Sequence, residues 1–457
     1  MLVMKITIIG TGYVGLVTGV CLAYLDNKIT FIDIDSNKIE KLKQNILPIY
    51  EPGLMEVFQN SKDNLSFTTS YSEAIPQAEI IFITVGTPPL PDGSSDTSYL
   101  NEAVKNIAEN LTGEDIIIVN KSTVPIGSGV MIENIINNVL KTRKDLVKKP
   151  NIYIVSNPEF LKEGTAVVDT FYPSRIVIGS DHQVAINKML DLYEPIIYNT
   201  FRHSISYLRQ QKLEPVPIVS CNLVTAELIK YASNAFLSLK ISFINEIASL
   251  CEKVDADIIQ TANAVGLDSR IGTQFLKAGI GWGGSCFGKD ASALIACAKD
   301  YKLDLSIVDA AIKVNYNQRE KVIEKLQEEL LILKGKTICI LGITFKPDTD
   351  DLRDSPSIDI AKKLVSRGAM VRVHDPIALE NVSQEFSSLS ISCVEDLSEL
   401  FVDADAIVLA TEWSHYRDIP WKEYSEVMRR KIIFDGRNFL DKCYLESIGF
   451  IYMGVGR

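Results

Sequence analysis

Cys286 stands in a glycine-rich segment that favours chemistry at its thiol. Residues 279–290 are Gly-Ile-Gly-Trp-Gly-Gly-Ser-Cys-Phe-Gly-Lys-Asp, with four glycines in the first six positions. Ordering so flexible a backbone costs conformational entropy, which indicates an unusual turn or the close approach of a ligand. A helix is predicted from about Ala291, so the thiol lies near a helix N-terminus and beside Lys289, two features that lower a cysteine pKa. Cys286 is a candidate nucleophile. The alternative interpretation is a small buried cysteine, which is also the interpretation of the other seven cysteines.

Two further clusters carry groups for acid–base and oxyanion chemistry. Residues 157–164, Asn-Pro-Glu-Phe-Leu-Lys-Glu-Gly, follow a predicted strand. Glu159 and Glu163 are either site carboxylates there or ordinary carboxylates at a helix N-terminus. Lys230 and Asn234 share one face of a predicted helix, because residues four apart are neighbours on its surface. If both side chains point at one substrate oxygen, they would stabilise negative charge that develops on it as an alkoxide. The alternative is that they form a solvent-exposed polar face of the helix.

The chain opens on a dinucleotide-binding fingerprint, G-x-G-x-x-G, between a predicted strand and a predicted helix: Gly10-Thr11-Gly12-Tyr13-Val14-Gly15. Such glycines permit a tight turn, close approach to a pyrophosphate, and close packing of helix on strand. Asp33 ends the next predicted strand, where a carboxylate accepts ribose hydroxyls and repels a 2′-phosphate. The sequence therefore predicts NAD rather than NADP. In this interpretation Lys38 contacts the adenosine side of NAD. The alternative interpretation of Lys38 is a solvated lysine on a helix.

A second strand and glycine turn at 338–345 lacks the fingerprint, so no second dinucleotide site is predicted. A sugar nucleotide is a suitable ligand for the carboxyl edge of such a sheet. Lys346 and Arg353 are then candidate phosphate contacts, although each alone is more often a surface charge.

Composition excludes several classes of protein. A net charge of -11 and a pI near 5.1 argue against a nucleic-acid partner, which needs a basic face. The apolar runs have the length of strands, and the N-terminus enters a strand without a signal peptide, which predicts no membrane span and a cytoplasmic location. Eight cysteines without C-x-x-C or ligand spacing favour reduced thiols and no metal site.

The elements that position these groups alternate between strand and helix in both halves of the chain. Strands are predicted at 5–9, 29–33, 80–85, 116–120, 152–156, 176–179, 337–341, 370–374, 406–410 and 432–435. A stretch without Gly or Pro from Leu223 to Val254 predicts one helix of about 30 residues, and a second helical region spans 291–333.

The fold class predicted from this pattern is α/β, with two doubly wound Rossmann-like domains joined by a central helical domain that contains the long helix. Chain length also favours more than one core. The predicted domains are 1–215, 216–333 and 334–457. The polar, proline-flanked stretch 198–217 is predicted to be a surface excursion or linker.

These segments together resemble the UDP-glucose/GDP-mannose dehydrogenase family over nearly the whole chain. Besides the fingerprint, the matching pieces are 48–54 (Pro-Ile-Tyr-Glu-Pro-Gly-Leu), 85–88 (Val-Gly-Thr-Pro), 121–125 (Lys-Ser-Thr-Val-Pro), 157–164, 227–236, the Cys286 loop and 434–437 (Phe-Asp-Gly-Arg). Segments 173–179 and 275–279 are similar to the UDP-glucose branch rather than the GDP-mannose or N-acetylmannosamine branches. Residues 199–217 form a longer connection than the family pattern has.

The resemblance implies an NAD-dependent oxidation of the C6 alcohol of UDP-glucose to UDP-glucuronate by a homodimer. Besides the fingerprint, the implied NAD contacts are Asp33, Lys38, Thr87, Thr123, Glu163, Lys289 and Arg353. The implied UDP-sugar contacts are Glu159, Phe160, Leu161, Lys162, Glu163, Lys230, Asn234, Phe275, Lys277, Gly279, Gly281, Gly283, Phe345, Lys346 and Arg437, with Arg270 reaching across the dimer interface. The implied catalytic residues are Cys286 as nucleophile, Asp290 for water or a proton, and Thr123, Glu159, Lys230 and Asn234 as assistants.

Four-electron oxidation explains the need for a thiol. An aldehyde has no second hydride to give until something adds to its carbonyl. Addition of Cys286 forms a thiohemiacetal, whose oxidation leaves a thioester that water opens. Lys230 and Asn234 would stabilise the oxyanions. Glu159 and Asp290, with an intervening water, would move protons for the first oxidation and the hydrolysis.

Three alternatives stay open on the sequence. The nearest is a dehydrogenase of the same family for GDP-mannose or a UDP-N-acetylhexosamine. A two-electron 2-hydroxyacid or 6-phosphogluconate type of enzyme would need no thiol and would form one NADH per substrate. A non-catalytic NAD-binding regulator would bind NAD without turnover.

Overall fold

The computed structural model describes residues 3–202 and 214–457. Contacts divide the chain into two compact units, Met1–Ala232 and Ser233–Arg457. Part of the predicted surface excursion, 203–213, lies outside the described residues.

The first unit is built on one sheet of eight described strands in the order β3-β2-β1-β4-β5-β6-β7-β8. The strands are β1 (Lys5–Ile9), β2 (Lys28–Ile32), β3 (Leu65–Thr68), β4 (Ile80–Ile83), β5 (Ile116–Asn120), β6 (Ile152–Ser156), β7 (Ile176–Gly179) and β8 (Ile218–Cys221). Neighbours pair in parallel, with Ile6 opposite both Ile29 and Ile80, except that β6 and β7 are antiparallel.

Helices cover both faces of this sheet. They are α1 (Tyr13–Tyr24), α2 (Ser36–Lys43), α3 (Leu54–Ser61), α4 (Tyr71–Ala74), α5 (Ser98–Asn110), α6 (Ser128–Thr142), α7 (Ala166–Phe171), α8 (Gln183–Ile197) and the start of α9 (Leu223–Val254). One apolar cluster contains Val20 and Phe171, and another contains Ile107 and Ile132. Burial on both faces explains why the central strands are apolar at almost every position.

The second unit contains a smaller parallel sheet of six described strands in the order β11-β10-β9-β12-β13-β14. The strands are β9 (Thr337–Leu341), β10 (Met370–His374), β11 (Ile391–Cys393), β12 (Ala406–Leu409), β13 (Ile432–Asp435) and β14 (Ile451–Gly454). The helices after α9 are α10 (Ile258–Gly266), α11 (Phe287–Asp300), α12 (Ser306–Leu330), α13 (Pro356–Ser366), α14 (Leu379–Ser388), α15 (Leu397–Leu400), α16 (Trp421–Ser425) and α17 (Lys442–Ser447). The strand order is that of a doubly wound nucleotide-binding fold.

The predicted fold class is confirmed, and the long helix has the predicted bounds, Leu223–Val254. Sequence patterns missed β3, β8, β11 and β14, which are only three or four residues long. The domain boundaries near 215 and 333 stay predictions. Within the described ranges, no helix combines the length and apolarity needed to cross a membrane.

Candidate active site

The three glycines of the fingerprint have three different environments. Gly10 has φ +100°, and a Cβ on it would lie 2.8 Å from the carbonyl oxygen of Thr84. A Cβ on Gly15 would lie 2.0 Å from the carbonyl oxygen of Gly10, so only glycine lets α1 pack this closely. Around Gly12, nothing lies within 4 Å of the Cβ position, and this residue caps α1 without a side-chain hydrogen bond. The open surface at a helix N-terminus fits the pyrophosphate of a dinucleotide.

Asp33 comes directly after β2 and is held beside this loop. Its Oδ2 accepts hydrogen bonds from the backbone N–H of Thr11 at 2.8 Å and from Thr11 Oγ1 at 2.6 Å, and Oδ1 accepts from Asp35 N at 2.9 Å. Burial acts to raise the pKa of Asp33, but these hydrogen bonds and the charge of Lys38 together lower it below the usual value. The carboxylate is therefore ionised and oriented, as a ribose acceptor must be. Its contact with NAD stays a prediction.

Two other predicted NAD contacts come together where β4 and β5 end. Thr87 Oγ1 donates to the carbonyl oxygen of Thr123 at 2.6 Å. Tyr13, a predicted NAD contact at the start of α1, donates a hydrogen bond from its hydroxyl to the carbonyl oxygen of Tyr50.

Glu159 and Lys230 form a buried ion pair in the first unit. Their side chains are 8% and 6% exposed. Lys230 Nζ donates to the backbone carbonyl of Glu159 at 2.5 Å and to its Oε2 at 3.2 Å. The Phe160 ring centroid lies 5.5 Å from Lys230 Nζ and 3.8 Å from the guanidinium of Arg175. Three predicted site residues are thus brought together.

Glu51 orders the end of the 157–164 segment, a role that sequence reasoning did not assign. Its two carboxylate oxygens accept hydrogen bonds from the backbone N–H groups of Gly164 and Ala166, both at 2.7 Å. Leu161 and Glu163 are partly exposed on this segment, whereas the exposed Lys162 pairs with Asp169 at 2.8 Å. The Tyr-Glu-Pro-Gly motif around Glu51 was the available signal.

Lys121 is a second residue that sequence reasoning missed. It lines a polar pocket of the first unit together with Thr123, Lys230 and Tyr231. Its Nζ donates to Asn157 Oδ1 at 3.1 Å. Burial lowers the pKa of Lys121 to about 8. Its position in the Lys-Ser-Thr-Val-Pro motif was the only sequence signal.

In the second unit, Cys286 immediately precedes α11 and is exposed, which confirms its predicted position at a helix N-terminus. The backbone N–H of Asp290 donates to the carbonyl oxygen of Cys286 at 2.8 Å. Asp290 is fully buried, and its two oxygens accept from Asn234 Nδ2 and Lys289 Nζ, both at 2.6 Å. Predicted residues from α9 and α11 therefore meet one helical turn from the thiol.

Buried polar side chains of α9 and α12 hold the backbone of the glycine loop before Cys286. Asn315 accepts from Trp282 N at 2.7 Å and donates to its carbonyl oxygen at 3.0 Å. Asn245 accepts from Gly279 N at 2.8 Å, and Gln318 donates to the carbonyl oxygen of Gly279 at 3.0 Å. These residues could not be identified from the sequence, because no local pattern distinguishes a buried polar residue on a helix from an exposed one.

Arg437 connects three parts of the second unit at the carboxyl edge of its sheet. The guanidinium donates to the carbonyl oxygens of Ala410 at 2.8 Å, Gly281 at 3.2 Å and Phe345 at 3.2 Å. A Cβ on Gly283 would lie 2.3 Å from the carbonyl oxygen of Asp354, which requires glycine there. Four predicted UDP-sugar residues lie in this region: Gly281, Gly283, Phe345 and Arg437.

The other predicted contact residues are either exposed or contact side chains close to them in the sequence. Arg270 and Arg353 pair with carboxylates two residues away, Asp268 at 2.6 Å and Asp351 at 2.8 Å. Lys277 is exposed, Lys346 Nζ lies 5.4 Å from the Phe345 ring centroid, and Phe275 meets Phe287 edge-on at 6.2 Å. The roles of all the site residues stay predictions.

Comparison with known proteins identifies the family. Residues 4–197 match the NAD binding domain of the UDP-glucose/GDP-mannose dehydrogenase family, 224–317 its central domain, and 339–442 its UDP binding domain. The UDP-glucose 6-dehydrogenase YwqF of Bacillus subtilis is 42% identical over 99% of this chain and 98% of its own. The UDP-glucose 6-dehydrogenase of Rickettsia bellii is 42% identical over 99% of both chains.

Two solved structures agree with this assignment. A UDP-glucose dehydrogenase from Pyrobaculum islandicum is similar at a TM-score of 0.87 with 34% identity, over 100% of this chain and 98% of that one. A UDP-D-ManNAc dehydrogenase from Pyrococcus horikoshii has a TM-score of 0.83 and 25% identity, over 99% of each chain. These matches confirm the family resemblance, the dehydrogenase class and NAD as cofactor. With three family domains matched in order along it, the chain belongs to the UDP-glucose/GDP-mannose dehydrogenase family.

Proposed function

We propose that the protein is a UDP-glucose 6-dehydrogenase that converts UDP-glucose to UDP-glucuronate in two oxidations. The observation that carries this proposal is the exposed Cys286 at the start of α11, one turn from a buried carboxylate that holds Asn234 and Lys289. The activity of the relatives in Bacillus and Rickettsia, as their names give it, supports the choice of substrate.

The first unit supplies the cofactor site and the groups for alcohol oxidation. When bound, NAD accepts a hydride from the sugar carbon in each oxidation. Asp33 orients the adenosine ribose, and the N-terminus of α1 faces the pyrophosphate. The Lys230 ammonium, fixed by Glu159, stabilises negative charge that develops on the C6 oxygen.

The second unit supplies the thiol that makes the second oxidation possible. The Cys286 thiolate adds to the aldehyde carbon: a C–S bond forms, the C=O π bond breaks, and the carbonyl oxygen becomes an oxyanion that the Asn234 amide stabilises. Loss of hydride from that carbon leaves a thioester. Water then breaks the C–S bond to release the carboxylate and the thiol, with Asp290 positioning the water or relaying its proton.

We infer that the UDP part contacts the residues named from the sequence, including Arg437 and Phe345 in the second unit. A homodimer, in which the 87% exposed side chain of Arg270 reaches the neighbouring protomer, and a cytoplasmic location belong to the same proposal. Sedimentation of the purified protein and fractionation of cells test these two points.

A stoichiometry assay tests the proposed reaction. Purified protein supplied with NAD and limiting UDP-glucose should form two NADH per UDP-glucose and yield UDP-glucuronate. GDP-mannose and UDP-N-acetylmannosamine, assayed side by side, should turn over much more slowly. One NADH with released aldehyde would contradict the covalent mechanism, and NAD binding without substrate-dependent NADH would identify a non-catalytic regulator.

A further inference from the structure

Lys121 is a lysine of the first unit to which the mechanism above gives no task. It comes directly after β5, and Asn157 comes directly after the neighbouring strand β6, so the Lys121–Asn157 hydrogen bond joins two adjacent carboxyl ends of the sheet. Lys121 is largely buried and forms part of the pocket wall that also contains Thr123 and Lys230. Lys121 therefore lies beside two predicted catalytic residues.

Lys121 and Lys230 both line this pocket, but only Lys230 pairs with the carboxylate of Glu159. Lys230 donates to both the carbonyl and the carboxylate of Glu159, so its positive charge is compensated. Lys121 donates to the neutral amide of Asn157 and forms no ion pair in the described part of the chain. Because burial disfavours an ammonium without a counter-charge, Lys121 rather than Lys230 is the lysine that releases its proton more easily.

The other charged and titratable groups around Lys121 agree with this assignment. Burial lowers the pKa of Lys121 to about 8; attraction by Glu159 opposes the shift, and repulsion by Lys230 adds to it. Glu227 lines the same pocket, but its oxygens accept from the backbone N–H groups of Gly127 at 2.6 Å and Gly129 at 2.7 Å. Tyr231 also lines the pocket, and burial keeps the pKa of Tyr193, which bonds to Asn157, well above its usual value.

Asn157 does not depend on Lys121 for its position. Its Nδ2 donates to the carbonyl oxygen of Val177 at 2.8 Å, and its backbone N–H donates to Asn120 at 2.9 Å. Its Oδ1 also accepts from Tyr193 at 2.6 Å. A neutral Lys121 amine can still donate to this oxygen and keeps a lone pair for a proton. The contact therefore orients the amine rather than supporting the fold.

We propose that Lys121, rather than Glu159, whose carboxylate pairs with Lys230, accepts the proton released in the first oxidation; this inference rests on the proposed function. The C6–H bond breaks with its electron pair going to the cofactor as hydride, the O–H bond breaks, and the C–O bond becomes a carbonyl. The proton passes to the neutral Nζ of Lys121, directly or through the side chains that line the pocket. The resulting ammonium later returns it to solvent. A base that titrates near the working pH is the most effective acceptor.

Formation of the first NADH as a function of pH tests this proposal. In the parent protein the rate should rise with a midpoint near pH 8. Lys121→Met should lose this rise and be slower on the order of 100-fold. Lys121→Arg keeps the charge and the hydrogen-bond donor but cannot accept a proton, so it should lose the rise as well. Tyr193→Phe removes the other donor to Asn157 and should keep it.

The outcomes separate this proposal from the proposed function. If Lys121→Arg keeps the parent rate and pH profile, Lys121 acts as a fixed charge and the proposal is overturned. If Lys121→Met keeps the profile, Lys121 has no part in the proton transfer. A parent protein that forms no NADH from UDP-glucose at any pH would instead overturn the proposed function.

A measurement without turnover provides a second test. Lysine methylation followed by mass spectrometry, as a function of pH, should show Lys121 reacting with a midpoint near pH 8, against about 10.4 for ordinary lysines. Thermal unfolding of each variant controls for folding. An ordinary midpoint at Lys121 in the folded protein would overturn the proposal.

Discussion

The two sheets of this protein start with the same strand and glycine turn, yet only the first continues into a dinucleotide loop. Gly10 (φ +100°) and Gly342 (φ +87°) each donate a backbone hydrogen bond of 2.8 Å to the last residue of the neighbouring strand, Ile32 and His374. Each neighbouring strand is followed by an aspartate, which accepts from the residue after the glycine: Asp33 from Thr11 at 2.8 Å and Asp375 from Ile343 at 2.9 Å.

The two turns differ in how soon a helix begins after them. Helix α1 begins at Tyr13, directly after the first turn, whereas the next helix after Gly342 begins only at Pro356. Asp375 is 3% exposed and also accepts from Thr344 and, at 3.3 Å, from the Trp413 indole.

In both turns the carboxylate holds its own loop, but only the first turn also presents a helix N-terminus and an open glycine surface. A glycine turn with an acid after the next strand is thus not enough to make a cofactor site. The helix must start at once for its N-terminus to face the ligand.

The variant with the largest expected effect removes the proposed nucleophile of the second unit and leaves the first unit unchanged. Cys286→Ala should lower steady NADH formation from UDP-glucose on the order of 10,000-fold or more, the scale for loss of a covalent nucleophile. Binding of NAD and UDP-glucose should survive, because no charged contact is changed. NADH production and calorimetric binding are measured on the same sample.

Cys339→Ala is the matched control in the same unit. Cys339 is buried and donates to the carbonyl oxygen of Leu400, so its loss should cost about 1 kcal/mol of stability and leave turnover near that of the parent. A stable Cys286→Ala protein that makes UDP-glucuronate within a few fold of the parent rate would end the covalent hypothesis.

A pair of aspartate variants tests the comparison directly. Asp33→Ala should weaken NAD binding by roughly 1.5–3 kcal/mol, because a charge-assisted acceptor of the ribose is lost, with little effect on UDP-glucose affinity. Asp375→Ala should leave NAD affinity unchanged. Both variants should lower the free energy of unfolding by about 1–3 kcal/mol, because a buried backbone donor, that of Thr11 or of Ile343, loses its acceptor. Calorimetry and urea unfolding measure the two effects; equal loss of NAD affinity in both variants would contradict the distinction.

A pair of glycine variants extends the comparison to stability, and the smallest expected change in stability is that of Gly12→Ala. Gly12→Ala should leave the free energy of unfolding within about 0.5 kcal/mol of the parent, since the Cβ enters open space, and should weaken only NAD binding. Gly342→Ala should lose about 1–3 kcal/mol of stability, because φ is positive and its Cβ would lie 2.3 Å from Thr411. Equal changes in the two unfolding midpoints would show that the two turns are used alike.

Several features were predictable from the sequence because they depend on local patterns. The fingerprint, the bounds of the long helix and the presence of a helix after Cys286 follow from glycine spacing and from the absence of helix-breaking residues, although α11 begins at Phe287 and not near Ala291. The parallel sheets follow from alternating apolar strands and helices. Strand β3, with the sequence Leu-Ser-Phe-Thr, was missed because so short a segment has no distinctive period.

Other features were decided only by the tertiary structure. Asp290 meets Asn234 across 56 positions of sequence, and Glu51 meets Gly164 across 113. Lys121 and Lys230 are the same residue type, yet one bonds to an amide and the other to a carboxylate. The sequence alone determined which residues were candidates for chemistry and which elements carried them. Packing decided their partners and their loss of solvent, because desolvation and hydrogen bonding depend on neighbours that are far away along the chain.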